Sequence, residues 1–158
     1  MSDLVLAALR IGVHITGGGV WLGAMVFSIF VLHPPAERFF ARAAEFEDLL
    51  FTVVHGARWK VLSGALALVL SGVALALITP GAGPLWTGLV VAKIALLALV
   101  LGLFVHVSWF LWPRRVFATE AELPAIRARF HRIGILMIAA NGINIALGVG
   151  ARVLRGAI

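Results

Sequence analysis

The chain has 158 residues, of which 62% are apolar and 13% charged, with a mean hydropathy of +1.08 and neither cysteine nor tyrosine. A charged share about half that of ordinary soluble domains excludes a soluble globular enzyme. The absence of cysteine excludes a c-type haem attachment, iron–sulfur ligation, thiolate copper and disulfides. The net charge of +6 sets membrane topology and is not a nucleic-acid footprint.

About 20 apolar residues span a bilayer as a helix, and the chain offers four such runs: Leu4–Leu32, Trp59–Ile78, Leu85–Trp112 and Ile133–Ala151. The first is too long and too glycine-rich for a signal peptide and lacks a small-residue cleavage site, so it is expected to be retained. Ser2 or Asp3 can cap its start. It is expected to stop at "HPP", because proline disfavours helix in the residue before it. "AERFFARAAEFEDLLFTVVHGARWK" follows, with apolar and charged residues at helical spacing, and predicts an amphipathic surface helix. Span two is expected to stop at Thr79–Pro80 in a tight turn, and span three at Trp112–Pro113. "TEAELPAIRARFHR" predicts a second surface helix entering span four. Trp59, Trp86 and Trp112 fall at the predicted interfaces, as aromatic belts do. No internal repeat is evident. The expected fold is all-α, a polytopic membrane protein built as one four-helix, up-down transmembrane bundle with short amphipathic cytoplasmic helices.

Charge orients this bundle. Arg38, Arg42, Arg58 and Lys60 lie between spans one and two or at the start of span two. Arg114, Arg115, Arg127, Arg129 and Arg132 lie between spans three and four. The opposite side holds only Arg10, Arg152 and Arg155. The positive-inside rule places the nine-charge side in the cytoplasm, with both termini outside the cytoplasmic membrane.

Ionisable groups inside a span are costly and mark function by default. His14 lies about 27 Å above the cytoplasmic end of span one, and Lys93 about 28 Å above that of span three, at 1.5 Å per residue. The two share a level, with Asn144 of span four a little deeper. The competing readings are a core histidine bonded to a carbonyl and a snorkelling lysine. His33, His55, His106 and His131 gather near the cytoplasmic face. His55 with Arg58, and His106 with Arg114 and Arg115, place imidazole beside guanidinium, as a haem with propionates needs and as interfaces ordinarily have. His14, His55 and His106 are the candidate metal ligands.

Two glycine patterns accompany these groups. Gly18 lies one turn after His14 and leaves a bare surface for either a flat macrocycle or a close helix. Gly19 and Gly23 form a G-x-x-x-G pair suited to helix approach. On span four, Gly134, Met137, Asn141, Asn144 and Gly148 share one face, for packing or for lining a cofactor slot with the asparagines as donors. Met25 and Met137 are the methionines within spans, a thin supply of the soft ligands that copper(I) prefers.

The succession "RIGVHITGGGVWLGAMVFSIFVLHP", "VVHGARWKVLSGALALVLSGVALAL" and "LWTGLVVAKIALLALVLGLFVHVSWFLWPRR" resembles four-helix membrane proteins of the CopD-like (copper-resistance protein D) family and the HemJ-type protoporphyrinogen oxidases. The likeness covers nearly the whole chain through short motifs. It implies that His14 and Lys93 are a functional pair associated with b-type haem. It also matches His55 to a histidine ahead of span two and His106 to one near the end of span three.

Three functions are expected to compete. The first is a membrane protein holding one or two b haems, bound through His14, Lys93, Gly18, Asn144, His55, His106 and Arg58. It would carry electrons to a redox partner protein or quinone, alone or within a larger complex. The second is a protoporphyrinogen oxidase of the same fold, with haem as electron acceptor. The third is a copper-handling or structural subunit without cofactor. Lipid is a partner in every case, nucleic acid in none, and glycine-lined faces leave room for a homodimer.

Overall fold

The computed structural model describes residues 3–40, 42–78 and 83–156. The expected stop at Thr79–Pro80, the capping role of Ser2 and the side chain of Asp3 lie outside that description. Among the described residues the chain is helical throughout, with no strand. Four helices are long and apolar enough to cross a membrane: Leu4–Phe39, Arg58–Leu77, Pro84–Val116 and Leu123–Val153. Helix is the form that satisfies every backbone group of such a segment internally.

Helix α1 (Asp3–Val26) passes through a π-helical turn (Phe27–Leu32) into α2 (His33–Phe39). Helix α3 (Ala43–Val54) and α4 (Ala57–Ile78) are joined at Gly56, whose φ of +76° is the left-handed conformation that ends helices on glycine. Helix α5 (Pro84–Val105) continues through a second π-helical turn (His106–Leu111) into α6 (Trp112–Val116). A single 34-residue helix, α7 (Leu123–Gly156), then contains both the second expected surface helix and span four.

The prolines do not stop spans one and three, contrary to expectation. His33 and Trp112, each directly before a proline, both keep helical φ/ψ of −61° and −48°. A proline ring in a helix collides with the carbonyl four residues back. Here the preceding turn is widened, so that the His33 N–H bonds Ser28 O and the Trp112 N–H bonds Val107 O, five residues back. The His33 ring adds a second donor to Ser28 O, from Nδ1 at 2.6 Å. The prolines then stand at the first positions of α2 and α6, where their missing N–H costs nothing.

The two widened turns reveal a repeat that residue identities hide. Phe27 opens the first turn 13 residues after His14, and His106 opens the second 13 residues after Lys93. Pro34 and Pro113 follow the same two residues by 20. Helix α1 packs along α4, and α5 packs along α7. The chain is thus two hairpins of one plan, with His14 and Lys93 in equivalent places.

Helix α1 also meets α7, and this contact holds the hairpins together. Val100, Met137 and Ala140 form the buried core there, packed against Trp21, Met25, Leu96, Leu103, Phe104 and Ile133. Gly134 is part of the fit, since a Cβ on it would meet Ile29 Cδ1. At the basic end, Trp59 meets Trp109 edge-on at 6.3 Å, and the Arg58 guanidinium covers the same Trp109 ring at 5.5 Å. These contacts tie the start of α4 to the second widened turn.

An ion network that sequence reading missed locks the short helices at that end. Arg115 of α6 is 4% exposed and forks onto Glu47 of α3, with Nε to Oε2 at 2.6 Å and Nη2 to Oε1 at 2.9 Å. Arg127 of α7 donates from Nε to Glu47 Oε1 at 2.9 Å and from Nη1 to Glu37 Oε1 of α2 at 2.8 Å. Its Nη2 also lies 2.8 Å from Glu47 Oε1, as an ion pair misaligned for a hydrogen bond. The two guanidiniums stack on Phe130 and Phe46, each 5.0 Å from the ring centre. Burial pushes the Glu47 carboxyl up, but the hydrogen bonds and charges of Arg115 and Arg127 outweigh it and hold the group below the usual carboxylate range. Sequence spacing gives no access to these pairings, which join residues 68 and 80 positions apart.

Candidate functional site

His14 lies on the face of α1 turned to α4. Its Nδ1 is 2.8 Å from Ser71 Oγ and 3.2 Å from Leu68 O. The Ser71 hydroxyl itself donates to Leu68 O at 3.0 Å. With that proton committed, both neighbours of Nδ1 are acceptors, so the proton of the neutral ring belongs on Nδ1. The tautomer leaves Nε2 with its lone pair. The ring also lies against Gly72, where a Cβ would come within 3.1 Å of its Cε1.

Lys93 is placed on α5 in the equivalent way and bonds α7. Its Nζ donates to Asn144 O and to Asn144 Oδ1, both at 2.8 Å. Asn144 answers by donating its Nδ2 to Lys93 O at 2.8 Å. A Cβ at Gly148 would lie 2.8 Å from the same Nζ. Both hairpins thus send a polar side chain from the first helix to a carbonyl of the second, four residues ahead of a glycine: Leu68 O and Gly72, then Asn144 O and Gly148. Lys93 turns inward to α7 rather than outward.

The remaining candidates stand elsewhere. Gly18 is buried, and a Cβ on Gly17 or Gly18 would touch Leu68 Cδ1 at 3.8 Å, so this shelf carries a side chain of α4. Gly19 and Gly23 face open space, with no atom within 4 Å of a built Cβ. His55 is exposed at the end of α3, its ring 5.5 Å from Phe51. His106 is exposed in the second widened turn, stacked on Phe110 at 5.9 Å. Arg58 is engaged with Trp109. Among the described residues no three histidine or carboxylate side chains converge as metal ligands.

One residue of the α7 face has a state that spacing alone does not reveal. Asn141 is 5% exposed, and its Nδ2 has no hydrogen-bond partner among the described residues. An unpaired amide buried in apolar surroundings costs about 1–3 kcal/mol.

No family model, no curated protein and no solved structure matches the chain.

Proposed function

We propose that the chain is a b-type haem protein of the cytoplasmic membrane that carries electrons, alone or as a subunit of a larger redox complex. One observation carries this reading. His14 is an imidazole within an apolar helix of span length, with Nδ1 anchored on Ser71 Oγ and Leu68 O, leaving Nε2 as a lone-pair donor. Haem-ligating histidines are held in this manner, with the second nitrogen bonded to fix tautomer and orientation. His14 would hold the iron of such a group through Nε2. The group supplies one-electron chemistry when bound. Ser71 and Leu68 orient the ligand, and the apolar helices around it exclude water.

Nine basic residues at one end support termini outside that membrane, by the positive-inside rule. The open Gly19–Gly23 face supports assembly as a homodimer or with a redox partner.

The test is the visible spectrum of protein purified in detergent from haem-replete cells. A Soret band is expected, lost in His14→Ala. Ser71→Ala is expected to retain haem with a shifted midpoint potential. Wild-type protein without a Soret band refutes the reading. A full spectrum in His14→Ala refutes the ligand.

A further inference from the structure

Among the described residues Lys93 is a cation without a counter-ion. The four runs Leu4–Leu32, Trp59–Ile78, Leu85–Trp112 and Ile133–Ala151 hold no aspartate or glutamate. Every ion pair among the described residues lies at the basic end, and none includes Lys93. Its acceptors are the two oxygens of Asn144, both neutral. An ammonium in low dielectric is stable when paired. It also has three N–H donors, of which Asn144 takes two.

A second donor stands one turn away on the same helix. Asn141 precedes Asn144 by three residues, which puts both on one face of α7. Its buried Nδ2 has no partner among the described residues. A polar group sealed this well is normally satisfied, and one left over calls for an acceptor from outside the chain. The bundle thus offers a positive charge bonded to Asn144 and, three residues before Asn144 on α7, a spare N–H.

We propose that Lys93 and Asn141 form the receptor for the carboxylate of a membrane-soluble amphiphile. One carboxylate oxygen takes the third Lys93 N–H and neutralises the ammonium, and the other takes the Asn141 amide. The hydrocarbon part lies among the apolar side chains. A fatty acid and a porphyrin propionate share this headgroup chemistry. Only the porphyrin source rests on the haem reading, and iron-free probes keep the two ideas separable.

The test measures binding to the intact protein in detergent by quenching of tryptophan fluorescence. The probes are iron-free protoporphyrin IX and its dimethyl ester, and palmitate with its methyl ester as competitors. In wild type at least one free acid is expected to bind about tenfold or more tightly than its ester. Lys93→Met and Asn141→Leu are each expected to reduce that preference to under about threefold, while Lys93→Arg keeps it and confirms a folded site. Preference confined to palmitate identifies a fatty acid, and preference confined to protoporphyrin identifies the propionate. Equal binding of acid and ester in wild type overturns the proposal, as does a preference that survives in Lys93→Met or Asn141→Leu. Loss of the Soret band with an intact acid preference refutes the haem reading alone.

Discussion

Replacing Glu47 with glutamine tests the ion network that holds α2, α3, α6 and α7 together. The Arg115 side chain is 3% exposed and that of Glu47 20%, so the pair is largely shielded from water. Removing one partner of a buried pair costs about 3–5 kcal/mol, because the other charge stays buried and unpaired. Glutamine keeps one acceptor oxygen, and Glu47 retains some water, so the expected cost of Glu47→Gln is about 2–3 kcal/mol. For a chain of this size that lowers the unfolding midpoint by roughly 5–10 °C. Glu45→Gln is the control, since the Arg42–Glu45 pair is exposed and worth under about 1 kcal/mol. The assay is thermal unfolding in detergent followed by circular dichroism. The pH dependence has a definite sign. The folded Glu47 carboxyl is held below its unfolded value, so its contribution is full above the usual carboxylate range. It fades as pH falls from that range through the lowered folded value. Wild type and Glu47→Gln therefore converge in acid and diverge at neutral pH. A Glu47→Gln midpoint no lower than that of Glu45→Gln would refute the reasoning, as would a difference from wild type that does not shrink in acid.

Two glycine substitutions probe the helix contacts. Gly134→Ala sets a Cβ against Ile29 Cδ1, the movable end of that side chain, and is expected to destabilise by about 1 kcal/mol. Adding Ile29→Val removes that methyl and is expected to restore most of the loss; additive effects in unfolding assays would show that α1 and α7 do not meet there. Gly18→Ala, whose Cβ meets Leu68 at an ordinary 3.8 Å, is expected to leave stability within about 1 kcal/mol of wild type. Gly72→Leu instead drives the His14 ring from its place, since even a Cβ comes within 3.1 Å of it. It should lower haem content in the purified protein where Gly18→Ala does not, and equal haem content in the two would contradict this assignment.

Composition and periodicity were enough to mark four apolar helices and a basic end, because hydrocarbon length and backbone satisfaction act on local sequence. The matching helical interval from His14 and Lys93 to the two prolines was equally legible, since helical rise converts sequence interval into distance. Partners were not. That Gly18 supports Leu68, that His14 is turned to Ser71, and that Lys93 is turned to Asn144 depend on how each helix is rotated against its neighbour. Residue type also misled at the prolines. The rule that helix ends before proline holds for an α-turn, but a turn widened to five residues removes the clash and lets the helix run on to Phe39 and Val116. The repeat escaped for a related reason: its signs are turn widths and contacts to backbone carbonyls, and carbonyls carry no residue identity. The Glu47 network was out of reach because four separate short segments supply it, and only their convergence at one end of the bundle makes those charges partners.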